Sequence, residues 1–510
     1  MATDLTPRVS RDEVFLELTR SICPVCKTVI DAELNIVGGR VVMRKRCAEH
    51  GVFEGLVSSN ADLYMSQLRY NKPGTLPLEF QTEVRDGCPL DCGLCPDHKQ
   101  HACLGIIEVN SACNLDCPIC FADSGHGPDN FSLTHEQVAV MLDAFVAAEG
   151  DPEVVQFSGG EPSIHPHILD FLQMARDRGI RNVMLNTNGI RLARDHGFAD
   201  ELARIGVLVY LQFDGFDVAT HVAIRGKDLR VEKEQALVRC AEAGVTVTLV
   251  AAVERGINEH EVGAIVRHGV AHPAVRSVVF QPVTHAGRHV AFDPLERLTN
   301  PDIIKMLEAQ VPEWLRLADF TPVPCCFPTC RSMCYGFVDD GGLVPFARLI
   351  NVDDYLDYAT NRVIPDLEVR HALEAMFSAS ATPGAEQALL ACESCGIDVP
   401  AAFGDFARHV FMIVVQDFQD AYTLNVRQLM KCCVEQITPD GRLIPFCAYN
   451  TVGYREQVRA QLTGRSVDPV VPNAEPLAAM LTPTRHGSRT VAGAAIGHPQ
   501  SGPTGKRLGG

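Results

Sequence analysis

Cys113, Cys117 and Cys120 fall within eight residues of SACNLDCPICFADSG (111–125), spaced C-x3-C-x2-C. Four thiolates would close a zinc site, and two would make a disulfide. Three suit another task. A [4Fe-4S] cube held by three cysteines keeps one iron without a protein ligand. That iron can chelate the amino and carboxylate groups of S-adenosylmethionine. An electron passed into the sulfonium breaks a C–S bond and yields a 5′-deoxyadenosyl radical, which abstracts unactivated hydrogens. On this reading the three cysteines are metal ligands and catalytic residues at once.

The remaining thiols are grouped too. The chain has 20 cysteines, and clustered thiols in a reducing compartment mean metal rather than disulfides. CPVC (23–26) and CAEH (47–50) form two knuckles that offer Cys23, Cys26, Cys47 and His50 as four tetrahedral ligands, for zinc or for a mononuclear iron. GCPLDCGLCPDHKQHAC (87–103) repeats the C-x3-C-x2-C spacing in Cys88, Cys92 and Cys95. Cys103 is the expected fourth ligand there, which would make a fully ligated auxiliary cluster. Nine cysteines lie beyond residue 324. Cys325, Cys330 and Cys334 sit close together, Cys392 and Cys395 make a pair, and Cys433 and Cys447 flank a hairpin turning at Pro439-Asp440-Gly441. A three-residue loop sets Cys433 opposite Cys447; a slip of one residue would bring Cys432 there. Cys240, mid-helix in ALVRCAEAG, reads as core.

These residues need a scaffold, and the pattern from residue 104 supplies one. Apolar strand-like runs at 104–110, 153–162, 180–189, 207–215, 245–253 and 275–283 alternate with amphipathic helical stretches. Thr134 is the expected N-cap of the first helix. Six such units predict an α/β fold, a partial (β/α)6 barrel, with chemistry where the strands end. The first cysteine triplet follows the first strand. GGEP (159–162) ends the second, NTNG (186–189) the third and QFDG (212–215) the fourth. The divisions expected are a metal ribbon over 12–75, an auxiliary-cluster segment over 76–103, the barrel over 104–290, a cysteine-rich C-terminal domain over 291–465 and a disordered tail over 466–510.

Composition bounds the partners. The 510 residues carry a net charge of −18 and only 6% aromatics, which argues against nucleic acid and against an anionic membrane surface as the main partner. The longest apolar runs, such as VTVTLVAAV (245–253), are too short to span a bilayer. The N-terminus shows no secretory pattern. A cytoplasmic protein, at most peripheral to a membrane, is the expectation.

The triplet, GGEP and the strand-end motifs together resemble the radical S-adenosylmethionine (radical SAM) superfamily. A zinc knuckle or buried thiols would not explain GGEP in that place. The resemblance implies that Gly159, Gly160, Glu161 and Pro162 lie at the methionine amino group, with Asn188 and Gln212 at the ribose and carboxylate. The longer blocks ICPVCKTVI, RKRCAEHG, GCPLDCGLCPDHKQHACLGIIEVNSACNLDCPICFADS and TPDGRLIPFCAYN resemble the archaeal tetraether-lipid synthase and its bacterial relatives, a group also labelled pterin methylases. That resemblance implies one or two auxiliary [4Fe-4S] clusters, a rubredoxin-like metal site and an external electron donor of the ferredoxin or flavodoxin type. It also implies C–C bond formation at unactivated carbons of lipid chains. Glu435 stands where a histidine is expected, which bears on the substrate. The alternatives are a methylase or alkyl transferase acting on a pterin or other small molecule, and a non-catalytic iron–sulfur electron carrier.

Overall fold

The computed structural model describes residues 13–125, 130–323, 326–339, 342–348 and 409–465. Cys325, Cys392, Cys395 and the expected tail over 466–510 lie outside the described residues.

Six parallel strands follow one another in sheet order: β1 (Leu104–Glu108), β2 (Val154–Ser158), β3 (Asn182–Thr187), β4 (Val207–Gln212), β5 (Val247–Val253) and β6 (Val275–Pro282). Helix α1 (His135–Glu149) opens with a capping box in which Thr134 and Gln137 bond each other's backbone N–H. The stretch after β3, expected as one helix, is two: α2 (Ile190–Arg194) and α3 (Phe198–Ile205). The break comes at Asp195, whose carboxylate accepts from the N–H of Gly197 at 3.3 Å, a local bond that competes with helix continuation.

The segment expected as a C-terminal domain joins this sheet at both edges. β7 (Val410–Gln416) pairs parallel with β6, and β8 (Val434–Ile437) pairs parallel with β1. β9 (Leu443–Pro445) completes the expected hairpin on β8. Thr438 N–H bonds Arg442 O at 2.9 Å, and Gly441 takes the left-handed position (φ 83°), so the loop is Pro439-Asp440-Gly441 as anticipated. On the far edge an antiparallel strand, β10 (Arg331–Asp339), pairs with β7.

Residues 13–58 form a separate four-stranded antiparallel sheet around Leu34, Val41, Met43 and Tyr64. It is tied to the rest by buried bonds, among them Lys45 Nζ to Ala421 O and Thr19 Oγ1 to Asn425 Oδ1 at 2.7 Å.

Strand alternation sorts the barrel's two faces. Ile107, Phe157, Leu185, Val209 and Leu249 face outward into one continuous core with the helices. Ile106, Val250, Val279, Met412 and Val414 face the other way. The same inward alternation carries Asn186, Tyr210, Gln212 and Gln281, all partly exposed. Strands buried on both faces usually read as unbroken apolar runs. Polar groups on this inner face mark it as a binding surface. Among the described residues, no helix is long and apolar enough to cross a membrane.

Candidate active site

The loop 109–125 leaves the C-terminal end of β1 and is clamped by backbone bonds. Cys120 pairs with Arg288 in both directions, N to O at 2.8 and 3.0 Å. Arg288 Nε donates to Cys117 O at 2.7 Å, and its Nη2 donates to Ser124 O at 3.1 Å. From the C-terminal side, helix α4 (Tyr454–Leu462) sends Arg455 to Phe121 O at 2.7 Å and Arg459 to Asp123 O at 3.3 Å. Both arginines also hold the buried carboxylate of Glu108, at 3.0 and 3.3 Å. Burial alone would raise the Glu108 pKa, but the two guanidiniums pull it below its ordinary value.

Two thiols of the triplet have a backbone donor. Leu115 N–H reaches Cys113 Sγ at 3.4 Å and Ser124 N–H reaches Cys120 Sγ at 3.5 Å, while at Cys117 burial raises the thiol pKa and the Arg225 charge opposes that rise. Such donors suit thiolates. Without a cation, burial pushes the Cys113 thiol up to about 12, so a bound metal is what would make it a ligand. The three sulfurs are not gathered to the single-ion spacing of the ribbon residues described below. A wider, polynuclear group fits them better than one zinc.

GGEP serves this loop directly. Gly160 N–H bonds Asn110 O at 2.8 Å, and Glu161 N–H bonds Ala112 O at 2.9 Å. A Cβ on Gly160 would lie 2.2 Å from Ala112 O, so only glycine permits that approach. Pro162 opens the 3-10 turn that follows, and Gly159 holds φ 137° against Asn110. Glu161 is 1% exposed, and its carboxylate accepts from Ser163 N–H (3.0 Å), Thr187 Oγ1 (2.7 Å) and Asn188 N–H (2.7 Å). It binds the end of β2 to the end of β3. The Asn188 amide is committed as well: Nδ2 donates to Asn114 Oδ1 at 2.7 Å, and Oδ1 accepts from Ile190 N–H at 3.0 Å. Both residues therefore brace the loop in this structure. Gln212 differs: its Oε1 is buried without a partner among the described residues, which leaves it to a ligand.

Three contributors were not singled out in the sequence. Asp214 of QFDG and Arg225 form a buried bidentate pair, and Lys233 Nζ donates to Asn188 O at 2.7 Å. Burial, then the charge of Arg225, brings the Lys233 pKa down to about 8. The position of Asp214 inside a strand-end motif was a usable signal. Arg225 and Lys233 lie on amphipathic helices that look like many others.

In the N-terminal sheet the expected ligands come together: one ligand atom from each of Cys23, Cys26, Cys47 and His50 lies within 4.8 Å of the others. His50 Nδ1 is 3.5 Å from Cys47 Sγ, and hydrogen bonding to Thr28 brings the Cys26 thiol down to about 6. The second triplet, Cys88, Cys92 and Cys95, lines one small recess. Cys103 does not line it. It packs instead with Ile106, Cys433 and Val434, because it immediately precedes β1 and its position is set by that strand. Two further groups are placed as follows. Cys334 faces the helix-covered side of the sheet while Cys326 and Cys330 lie on the other, since alternation along β10 separates Cys334 from Met333 and Tyr335. Cys433 keeps the anticipated register, but a helix beginning at Phe446 ends the pairing before Cys447 is reached. Burial raises the Cys432 thiol pKa well above its ordinary value, and the charges of Glu435 and Cys447 add to that rise. Cys240 is fully buried in its helix, as read.

Residues 107–268 match the Radical SAM superfamily, and residues 15–59 match the HMPTM N-terminal zinc ribbon domain. The chain belongs to the radical SAM superfamily. A Methanocaldococcus jannaschii protein named 7,8-dihydro-6-hydroxymethylpterin dimethyltransferase is 32% identical over 484 residues, covering 87% of this chain and 95% of that protein. A Chlorobaculum tepidum GTP 3′,8-cyclase is 34% identical over 132 residues, 25% of this chain and 39% of that one. The solved structure of Streptococcus suis SuiB covers 42% of this chain and 46% of that chain at 15% identity and TM-score 0.35. Membership implies a [4Fe-4S] cluster and S-adenosylmethionine, and Cys113, Cys117 and Cys120 fit the cluster. When bound, the pair supplies reductive cleavage and a 5′-deoxyadenosyl radical. The chain's own part is to hold the loop, shield it and place the substrate.

Proposed function

We propose that the protein is a radical SAM methylase or alkyl transferase whose substrate is a pterin or a similar polar heterocycle. The observation that carries this reading is the hydrogen-bonding surface inside the barrel. Gln281 Nε2 donates to the Tyr210 hydroxyl at 3.2 Å, Asn186 Nδ2 donates to Ser158 Oγ at 3.2 Å, and Gln212 Oε1 is unpartnered among the described residues. Amides and hydroxyls recognise the ring nitrogens and carbonyls of a heterocycle, whereas a methylene chain would leave Gln212 Oε1 unpaired at a cost of about 1–3 kcal/mol. The name of the Methanocaldococcus relative supports the same substrate class. An external one-electron donor of the ferredoxin or flavodoxin type would supply the reducing equivalent. Lipid-chain coupling, the reading from the longer blocks, is the competing outcome.

The test offers anaerobically reconstituted protein a deuterated hydroxymethyl-dihydropterin and, separately, a deuterated acyl phospholipid. Methyl gain on the pterin is expected, with none for Cys117→Ala. Deuterium passing from the acyl chain into 5′-deoxyadenosine, with no change in the pterin, would overturn the proposal in favour of the lipid.

A further inference from the structure

The recess lined by Cys88, Cys92 and Cys95 is lined also by His98, beside Asp91 and Asp97. His98 is 4% exposed and follows Cys95 in a tight turn, with its N–H on Cys95 O at 2.8 Å. Its Nε2 lies 2.9 Å from Cys432 O. A carbonyl oxygen only accepts, so the ring proton is on Nε2 and the lone pair is on Nδ1. Glu435 Oε1 also lies on the Nε2 side, at 3.5 Å. That is the arrangement in which metal-bound imidazoles are found: one nitrogen donating to a carbonyl or carboxylate, the other free to ligate.

The surroundings hold the ring there. Lys99 N–H bonds Met430 O at 2.7 Å, and Leu104 N–H bonds Cys433 O at 3.0 Å, so the segment that follows His98 is laced to 430–433. Asp91 gathers the N–H groups of Arg85, Asp86 and Gly87 at 2.6–2.8 Å and fixes the turn before Cys88. Tyr454 Oη donates to Pro89 O at 2.9 Å and accepts from Cys92 N–H at 3.1 Å. As in the first triplet, the three thiols are not drawn to single-ion spacing.

We infer that Cys88, Cys92, Cys95 and His98 together hold a second iron–sulfur cluster, with His98 Nδ1 as its fourth ligand in place of Cys103. Glu435 is then a positioning residue behind the ring. An imidazole in place of a thiolate makes the cluster less negative and raises its reduction potential, as it does where histidines replace cysteines in other iron–sulfur centres. With all four corners taken, this cluster has no place for S-adenosylmethionine. The inference does not depend on the substrate.

The experiment uses full-length protein carrying Cys113→Ala, Cys117→Ala and Cys120→Ala, reconstituted anaerobically with iron and sulfide, reduced, and examined by pulsed electron paramagnetic resonance. A nitrogen coupling of a directly bound imidazole is expected, changing on 15N-histidine labelling. Adding His98→Cys should keep the iron content and abolish the coupling. Adding Cys103→Ala or Glu435→Gln should leave both in place. Absence of the coupling in the parent, its persistence in His98→Cys, or loss of the cluster's iron in Cys103→Ala or Glu435→Gln would each overturn the assignment. His98→Cys supplies a replacement ligand, so a folding defect from cavity loss does not confuse the result.

Discussion

Arg225 grips Asp214 with Nε at 2.6 Å and Nη2 at 2.8 Å, and its charge also acts on the Cys117 thiol. The pair is buried. Desolvation opposes the Asp214 charge, but Arg225 and then Lys233 hold its pKa below the ordinary value. Asp214→Asn leaves a buried arginine facing a thiol with no carboxylate behind it. Breaking such a pair costs about 3–5 kcal/mol. Urea denaturation of the metal-free protein should show a loss of that order, and a loss under about 1 kcal/mol would mean that Arg225 finds another partner.

Glu161 is the second brace. Its carboxylate carries three donors, so Glu161→Gln replaces one accepting oxygen by an amide facing N–H or O–H groups. A hydrogen bond to a charged group contributes about 1.5–3 kcal/mol. Thermal unfolding should fall accordingly, and hydrogen exchange should quicken at Asn188 before it does elsewhere. Unchanged protection at Asn188 would rule out the brace.

Glu108 gives the acid limb a signature. Its folded pKa lies below the ordinary value, so its ion pairs with Arg455 and Arg459 contribute fully above about pH 4.3. The contribution is lost as pH falls through the depressed folded value. Glu108→Gln should unfold earlier at neutral pH and show a smaller further loss between pH 5 and 3 than the parent. Parallel pH profiles for the two proteins would refute the assignment.

The N-terminal ligand group makes a metal prediction. Cys47→Ala should lose about one equivalent of zinc or iron per chain, since three ligands hold a structural tetrahedral ion poorly. Elemental analysis reads the loss and names the metal. Exchange protection should drop over residues 15–58, and an unchanged metal count would show that these residues hold none.

Periodicity carried most of the scaffold. The six parallel strands stand where the apolar runs predicted them, and Thr134 caps the first helix, because such signals are local. The edge strands β7 and β8 were not foreseen as barrel strands. Nothing in VFMIVVQ or VEQI states that it pairs with a strand more than a hundred residues away. The cysteine triplets were legible from spacing, yet spacing could not show that Cys103 packs beside β1 and away from Cys88, Cys92 and Cys95, since the strand that follows it decides that. GGEP was found for a cofactor contact, and the structure shows that its glycines admit the backbone of the cysteine loop.

The latching of that loop by Arg455 and Arg459 also has a consequence for biosynthesis. Phe121 O and Arg455 are 334 positions apart in the chain. At 5–20 residues per second, roughly 15–70 s separate synthesis of the loop from synthesis of its latch. The parallel sheet is likewise unflanked at both margins until residues 410–437 have emerged. During that interval the loop that carries Cys113, Cys117 and Cys120 lacks its bonds from Arg455 and Arg459. Only once Arg455 and Arg459 are made can the loop take its full set of clamps.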